Sequence, residues 1–457
     1  MTDHTADLVI LGGGSGGYAA ALRAAELGAS VVIVEKDKLG GTCLHRGCIP
    51  TKALLHAGEV ADTARDAASV GVHVHLDRVD AAGVREYRQG VVAKKYKGLQ
   101  GLIGARGITV VSGEGVLVEG PAVRVGDDVY RGRDVILATG SYSRTLPGLT
   151  VEGRVLTSEH ALELDVIPDH VIVLGGGVIG VEFASAWRSL GAEVTIVEAL
   201  DRLLPTEDAT SSKALERAFR KRGIVARTGV RFDSLAQTAD SVTVRLEEGT
   251  ELIADYVLVA VGRAAATEGL GYEEAGVVLD RGFVQTDERL RTDVPHVWAV
   301  GDIVVGPQLA HRSFQQGIFV AEEIAGRAPV LIPDEQIPRV AYSRPEVASV
   351  GVTEADAVAA HGADAVVAYE YNLAGNAKSE ILGTTGVVKI VRKKDGPILG
   401  AHLVGDRVGE LITEAQLAIG WEAHPEDIAP FIHAHPTQSE ALGEAFLALA
   451  GKPLHTL

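Results

Sequence analysis

The chain has 457 residues, 46% of them apolar and 23% charged, a composition that excludes a disordered or low-complexity protein. The length suits about three domains at roughly 150 residues each, and the 54 glycines set among apolar segments predict many tight strand-to-helix turns. With 43 basic against 61 acidic residues the net charge is −18, which argues against any nonspecific nucleic-acid-binding surface.

From Met1 the chain enters an apolar strand by Leu8. That leaves no room for a signal or transit peptide, so the expected location is cytoplasmic. Residues 7–11 read as a buried strand, Gly12-Gly13-Gly14-Ser15-Gly16-Gly17 as a turn, the stretch to about 28 as a helix, and 31–34 as a second strand ending on Glu35. The Cys43 segment follows, then a helical excursion over 51–106 and a strand-rich return to 135–141. Leu146-Pro147-Gly148 looks like a crossing into a new domain.

The opening pattern then recurs. Residues 171–174 are the strand, Gly175-Gly176-Gly177-Val178-Ile179-Gly180 the turn, 181–190 the helix, and 194–197 a strand ending on Glu198. In both copies the acid follows the first glycine by 23 residues. In such a unit glycines let the backbone approach a pyrophosphate, the helix N-terminus offers it free N–H groups, and the acid accepts from ribose hydroxyls. Two copies imply two dinucleotides, held by Gly12, Gly14, Gly17 and Glu35 and by Gly175, Gly177, Gly180 and Glu198. The most apolar stretch, 171–187, is broken by four glycines and Glu182, well short of the ~20 apolar residues of a membrane span.

The second unit ends near 257–263, and a third segment contains Val297-Trp298-Ala299-Val300-Gly301-Asp302. The last segment alternates strands (386–391, 398–404) with helices (409–419, 439–450) and has no nucleotide motif, so subunit contact or completion of a site is its expected work. The predicted architecture is α/β: two Rossmann-like dinucleotide-binding domains plus a C-terminal α+β domain. Its segments are 1–146, 147–266, 267–333 and 334–457.

Cys43 and Cys48 are the only cysteines, too few for a disulfide framework. In a regular helix, positions five apart are separated by about 7.5 Å of rise and roughly 140° of rotation, whereas a disulfide needs Cα atoms about 4.4–6.8 Å apart. If the two bond, the helix must be broken between them, and Gly47 is placed to permit it. A strained disulfide of this kind is easily reduced, as a catalytic one should be. Zinc is a poor match without a second Cys or His pair, and no metal site is expected. A helix is expected from Thr51, after Pro50, with Lys52 one turn past Cys48. Beside an electron-accepting ring that lysine would supply positive charge where negative charge develops.

With these motifs the chain resembles the pyridine nucleotide–disulfide oxidoreductases over essentially its whole length. The most specific pieces are residues 40–52, the doubled turn, Ala138-Thr139-Gly140-Ser141, Ala299-Val300-Gly301-Asp302, Leu309-Ala310-His311, and 433–440, His-Ala-His-Pro-Thr-Gln-Ser-Glu. The resemblance implies FAD in the first site, with Lys52 near the flavin and paired with Glu182. It further implies Asp302 on the ribityl chain, Ala310 nearby through its backbone, and Gly115, Thr139, Gly140 and Ser141 as further FAD contacts. NAD would occupy the second site, with Val230 and Gly262 as additional candidates. Within the family, the resemblance is to members that oxidise a protein-bound dihydrolipoamide to lipoamide with NAD⁺ as acceptor. Such members serve the lipoyl-bearing carrier domains of 2-oxo acid dehydrogenase complexes or the glycine cleavage system. Cys43 would exchange with substrate and Cys48 face the flavin.

His435 would be the proton acceptor. Pro436 biases it towards an extended conformation and can occupy the first turn of the next helix. Glu440, five residues on, can hold the imidazole in one tautomer. His433 is read as structural. The resemblance implies a homodimer in which this histidine comes from the other subunit.

Glutathione-reductase-like enzymes share the pair and the histidine, but usually take NADPH, whose 2′-phosphate Glu198 would repel; Arg202 is the nearby cation. Mercuric reductases carry a C-terminal cysteine pair that residues 451–457 lack. A flavoprotein without turnover should have lost a cysteine or the base, and both are present. Departures from the family pattern are Arg263-Ala264-Ala265-Ala266 where Arg-x-Pro-Asn is usual, Arg312 for a common Lys, and Gln316 for the usual acid before Gly317.

Overall fold

The computed structural model describes residues 2–330 and 332–456. The chain divides into two compact units. The first gathers residues 1–53, 82–144 and 263–332, and the second 54–81, 145–262 and 333–457.

In the first unit the strand Asp3–Leu11 lies between Val31–Glu35 and Asp128–Leu137, all parallel. Thr109–Ser112 extends one side, and Val297–Ala299 pairs with Asp128–Leu137 on the other. Leu8, Val9, Ile10 and Leu11 are all buried, because a parallel sheet is covered on both faces. The helix Ser15–Glu26 covers it and packs on the helix Ala310–Ile324. Glycines set that contact: a Cβ on Gly317 would lie 2.3 Å from the Gly16 carbonyl oxygen.

The second unit repeats the scheme. His170–Leu174, Glu193–Glu198 and Val225–Thr228 run parallel in the order of their counterparts. Val171 and Val173 face the helix Val178–Leu190 in one core, while Ile172 and Leu174 join the meander of residues 232–254 in another, the period-2 alternation of a doubly covered strand.

The C-terminal sheet is antiparallel, in the order Arg339–Ala341, Glu346–Gly351, Ile398–Gly405, Val387–Lys393, Val366–Asn372. One face carries Ala348, Val350, Ile390, Ala401 and Leu403 against the helices Val408–Gly420 and Glu440–Leu449. A cross-strand row on this sheet is polar: Arg339, Ser349, His402, Lys389 and Glu370 are successive register partners. Lys389, with 4% of its side chain exposed, lies 2.9 Å from Asp208 and 2.7 Å from Glu354.

Two details differ from the sequence expectation. The helix carrying Cys48 begins at Cys48 itself, not at Thr51. Pro50 fits in its first turn, where a backbone N–H has no helical partner to lose. The last helix starts at Glu440, so Pro436 stands before it rather than in its first turn. Among the described residues no helix is long and apolar enough to cross a membrane.

Candidate active site

Each nucleotide turn is built the same way. Gly12 adopts φ +106° and Gly175 φ +108°. A Cβ there would meet the carbonyl oxygen of Ala138 at 2.3 Å or of Ala260 at 2.4 Å, so only glycine fits. A Cβ on Gly17 or Gly180 would lie 1.9 Å from the first glycine's carbonyl oxygen, which locks turn to helix. Gly14 and Gly177 are the N-caps, and a Cβ on either would enter open space. Neither helix has an acid in its first turn, and the first-turn N–H groups of a helix lack internal partners. Both cradles therefore suit an anionic pyrophosphate.

The middle glycines have a role the sequence reading missed. Gly13 N–H donates to Glu35 Oε2 at 2.7 Å and Gly176 N–H to Glu198 Oε2 at 2.6 Å. The second oxygen of each acid accepts two residues further on, from Asp37 or Leu200. Each acid thus braces its own turn and is held rigid at the strand end. Arg202 is directed elsewhere, its Nη2 donating to the Pro205 carbonyl at 2.9 Å.

The remaining first-site candidates differ in what their side chains do. Thr139 Oγ1 donates inward to the Ala266 carbonyl at 2.7 Å and meets the buried Tyr272 hydroxyl at 2.9 Å, leaving its backbone for a cofactor. Gly140 has φ +76°. Ser141 Oγ donates to Asp302 Oδ2 at 2.5 Å. Asp302 sits in the short turn Gly301–Ile303, and Ala310 opens its helix after the N-cap Leu309. Gly115 is packed against Leu11, Val34 and Val123. In the second unit Glu182 is buried and accepts from the Tyr342 N–H at 2.9 Å. Val230 N–H donates to the Glu198 carbonyl, and Gly262 has φ +104° with open space beyond.

The cysteines lie on separate helices. Cys43 belongs to Gly41–His45 and Cys48 opens Cys48–Asp66. Between them Arg46 leaves helical geometry at φ −137°, and a Cβ on Gly47 would crowd the Thr42 carbonyl at 3.1 Å. The break expected from spacing is present. The pair stands as two thiols in hydrogen-bonding contact. That contact, together with burial, pushes the Cys43 thiol well up, while Ser15 and the Lys52 ammonium pull the other way. The Cys43 thiol therefore holds its proton tightly.

His435 Nδ1 lies 2.8 Å from Glu440 Oε1, and Glu440 Oε2 accepts from Thr437 N–H at 2.7 Å. Burial works to raise the Glu440 carboxyl, but the Thr437 N–H and the imidazole outweigh it and hold it below the usual range. The His435 side chain is 74% exposed, with Nε2 outermost from its anchor. His433 is engaged differently. Its Nε2 meets Glu414 Oε1 at 2.8 Å, and its ring lies against Gly443, where a Cβ would come within 2.6 Å of Nδ1. Glu414 and a backbone hydrogen bond at Phe431 thus tie this ring into the fold. Glu414 could not be found from sequence, since 19 residues separate it from His433 with no motif between.

Residues 6–317 match the pyridine nucleotide-disulphide oxidoreductase family, and 337–446 match that family's dimerisation domain. The chain belongs to this family. It is 41% identical to a dihydrolipoyl dehydrogenase of Bacillus subtilis, over 98% of this chain and 99% of the relative. It is 39% identical to the dihydrolipoyl dehydrogenase of Geobacillus stearothermophilus, over 99% and 97%. Among solved structures, LpdA from Mycobacterium tuberculosis superposes with a TM-score of 0.90 at 28% identity, over 98% of this chain and all of that one.

Proposed function

We propose that the protein is a dihydrolipoyl dehydrogenase, a homodimeric oxidoreductase that converts protein-bound dihydrolipoamide to lipoamide with NAD⁺ as acceptor. The observation that carries this reading is the thiol pair Cys43–Cys48, set on two helices broken at Gly47 and facing a lysine charge. FAD would be held by Gly12, Gly14, Gly17, Glu35, Asp302 and Ala310, and NAD by Gly175, Gly177, Gly180 and Glu198. When bound, FAD supplies a two-electron acceptor for the reduced pair and NAD⁺ the final oxidant.

The protein's own residues perform the exchange. A dithiol with pKa near 8.5 is only a few per cent thiolate near neutral pH. His435 of the partner subunit, its Nδ1 held by Glu440, takes the first thiol proton at Nε2. The thiolate attacks Cys43 Sγ of the Cys43–Cys48 disulfide, forming a mixed disulfide and releasing Cys48 as thiolate. The second substrate thiol attacks the substrate sulfur of the mixed disulfide, closing the lipoyl ring and expelling Cys43, which takes up the proton that thiol gives up. The substrate loses two electrons and the cysteine pair gains them. Cys43, the thiol pushed up, keeps a proton, and Cys48 carries the negative charge beside Lys52.

The finer reading follows from the resemblance. The carriers served are lipoyl domains of 2-oxo acid dehydrogenase complexes or of the glycine cleavage system, in the cytoplasm. The four segments 1–146, 147–266, 267–333 and 334–457 divide the work into FAD binding, NAD binding, completion of the FAD site, and dimerisation. Anaerobic reductive titration of the holoenzyme tests the reading. Uptake of four electrons per subunit, with a long-wavelength thiolate–flavin band after two, is expected. Two-electron uptake, or NADH oxidation by glutathione disulfide rather than lipoamide, would overturn it.

A further inference from the structure

We infer that Arg263 and Gln316 are positioning residues for the carboxylate of Asp302, fixing from two sides the one oxygen it offers to the cofactor. This rests on the reading of Asp302 as a contact of the FAD ribityl chain. Nothing in the family pattern pointed to either residue as part of that site; both stand where the sequence departs from or borders a departure from it.

The direction of the relay is forced by chemistry. Arg263 Nε is a donor only and lies 2.7 Å from Ser141 Oγ, so the hydroxyl must accept there. A carboxylate is an acceptor only, so the single hydroxyl hydrogen of Ser141 must go to Asp302 Oδ2, 2.5 Å away. Arg263 Nη2 also donates to the Ser141 carbonyl at 2.7 Å, gripping the residue by side chain and backbone. Ser141 thus pins Oδ2, which turns Oδ1 outward as the oxygen to accept from a ligand hydroxyl. The strands Ser141–Ser143 and Arg263–Ala265 are paired antiparallel, with Arg263 opposite Ser143, so the fork reaches diagonally across the pair to Ser141.

From the other side, Gln316 Oε1 accepts from Gly301 N–H at 2.7 Å. Gly301 has φ +79° and precedes Asp302 in the turn, so this bond sets the angle at which the carboxylate leaves the strand. The side-chain amide supplies the acceptor a carboxylate would supply at this position, without adding a negative charge beside Asp302.

FAD dissociation from the purified holoenzyme, followed by the rise of free-flavin fluorescence, tests the relay. Ser141→Ala and Arg263→Met should each weaken FAD retention about ten- to a hundredfold, the scale of a hydrogen bond to a charged group. Their combination should cost no more than the larger single loss, as members of one chain do. Ser141→Thr should restore retention. Arg263→Lys should not, because an ammonium cannot grip two acceptors as a planar fork does. Gln316→Leu should weaken retention and Gln316→Glu preserve it. In an Asp302→Ala background every one of these changes should fall silent. If Asp302→Ala weakens FAD while Arg263→Met and Gln316→Leu do not, the relay is wrong and the reading of Asp302 stands. If Asp302→Ala leaves FAD retention unchanged, the reading of Asp302 itself fails. Additive losses at Ser141 and Arg263, or losses that persist without Asp302, would likewise overturn the relay.

Discussion

Two histidines two residues apart sit in opposite surroundings, and their partners decide which ring is open. His435 is mostly exposed with one nitrogen anchored, whereas His433 is wedged between Glu414 and Gly443. General-base assistance is worth ~10²–10⁴-fold, so His435→Gln should slow dihydrolipoamide oxidation by about that factor. Bleaching of the flavin by NADH, which moves no thiol proton, should stay near normal in rapid mixing. His433→Gln should leave both half-reactions nearly intact; equal slowing of both by His435→Gln would make that residue structural. His433 has its own signature in stability. Glu414 raises the His433 pKa above its unfolded value, so the pair stabilises fully below about pH 6.5 and its contribution fades as pH climbs through the raised value. Glu346 runs the same direction for a different cause. Burial pushes its carboxyl up to about 7, against the pull of the Gly409 N–H, so stability declines between about pH 4.5 and 7 as the folded state resists ionisation. Glu346→Gln, which keeps an acceptor for Gly409, should remove that decline and raise stability at pH 8 by about 1–2 kcal/mol, read by denaturant melts at pH 5 and pH 8. At the second nucleotide turn the rigid Glu198 charge should favour NADH over NADPH by about ten- to a thousandfold in kcat/KM. Equal values for the two nucleotides would refute that.

Among the elements, the polar row on the C-terminal sheet is the most demanding. Lys389 sits almost fully buried between Asp208 and Glu354, and removing one partner of such a pair typically costs about 3–5 kcal/mol. Lys389→Met should therefore destabilise the protein by about 3 kcal/mol, and Asp208→Asn added to it should recover part of the loss. Full stability of the single variant in urea melts would show that the row is not under electrostatic load. This row was invisible in the sequence. Arg339, Ser349, Glu370, Lys389 and His402 are scattered over four connections, and only strand register brings them into line. The strand Arg339–Ala341 is only three residues long, and Glu346–Gly351 takes Ile398–Gly405, well along the chain, as its second neighbour, so neither stands out in the sequence. The nucleotide units were legible because strand, turn, helix and acid are contiguous and repeated. The break at Gly47 was legible because a regular helix cannot bring Cys43 and Cys48 close enough to bond. The bracing of Glu35 by Gly13 was not, since a backbone N–H leaves no mark in a sequence.

At the scale of the molecule, the dimerisation domain makes the subunit boundary testable. If His435 acts across it, a hybrid of one Cys48→Ser subunit and one His435→Gln subunit contains one site with both groups intact. Mixing the two inactive variants by refolding should then restore about half the wild-type turnover per hybrid dimer, on the view that a base contributes only where it is held in reach. Purified hybrids with no turnover would place the histidine within its own subunit. The first unit has a consequence in time as well as in space. Its sheet and helices come from three stretches of chain, and the helix Ala310–Ile324 that seats Gly317 on Gly16 is the last to be made. Domains fold as units during synthesis at about 5–20 residues per second, so residues 145–262 are made about 3–14 seconds before the first unit can close. A nascent chain would meanwhile hold the Gly12 turn without the helix that packs behind it, so the first nucleotide turn in the sequence is completed only after the second has been made.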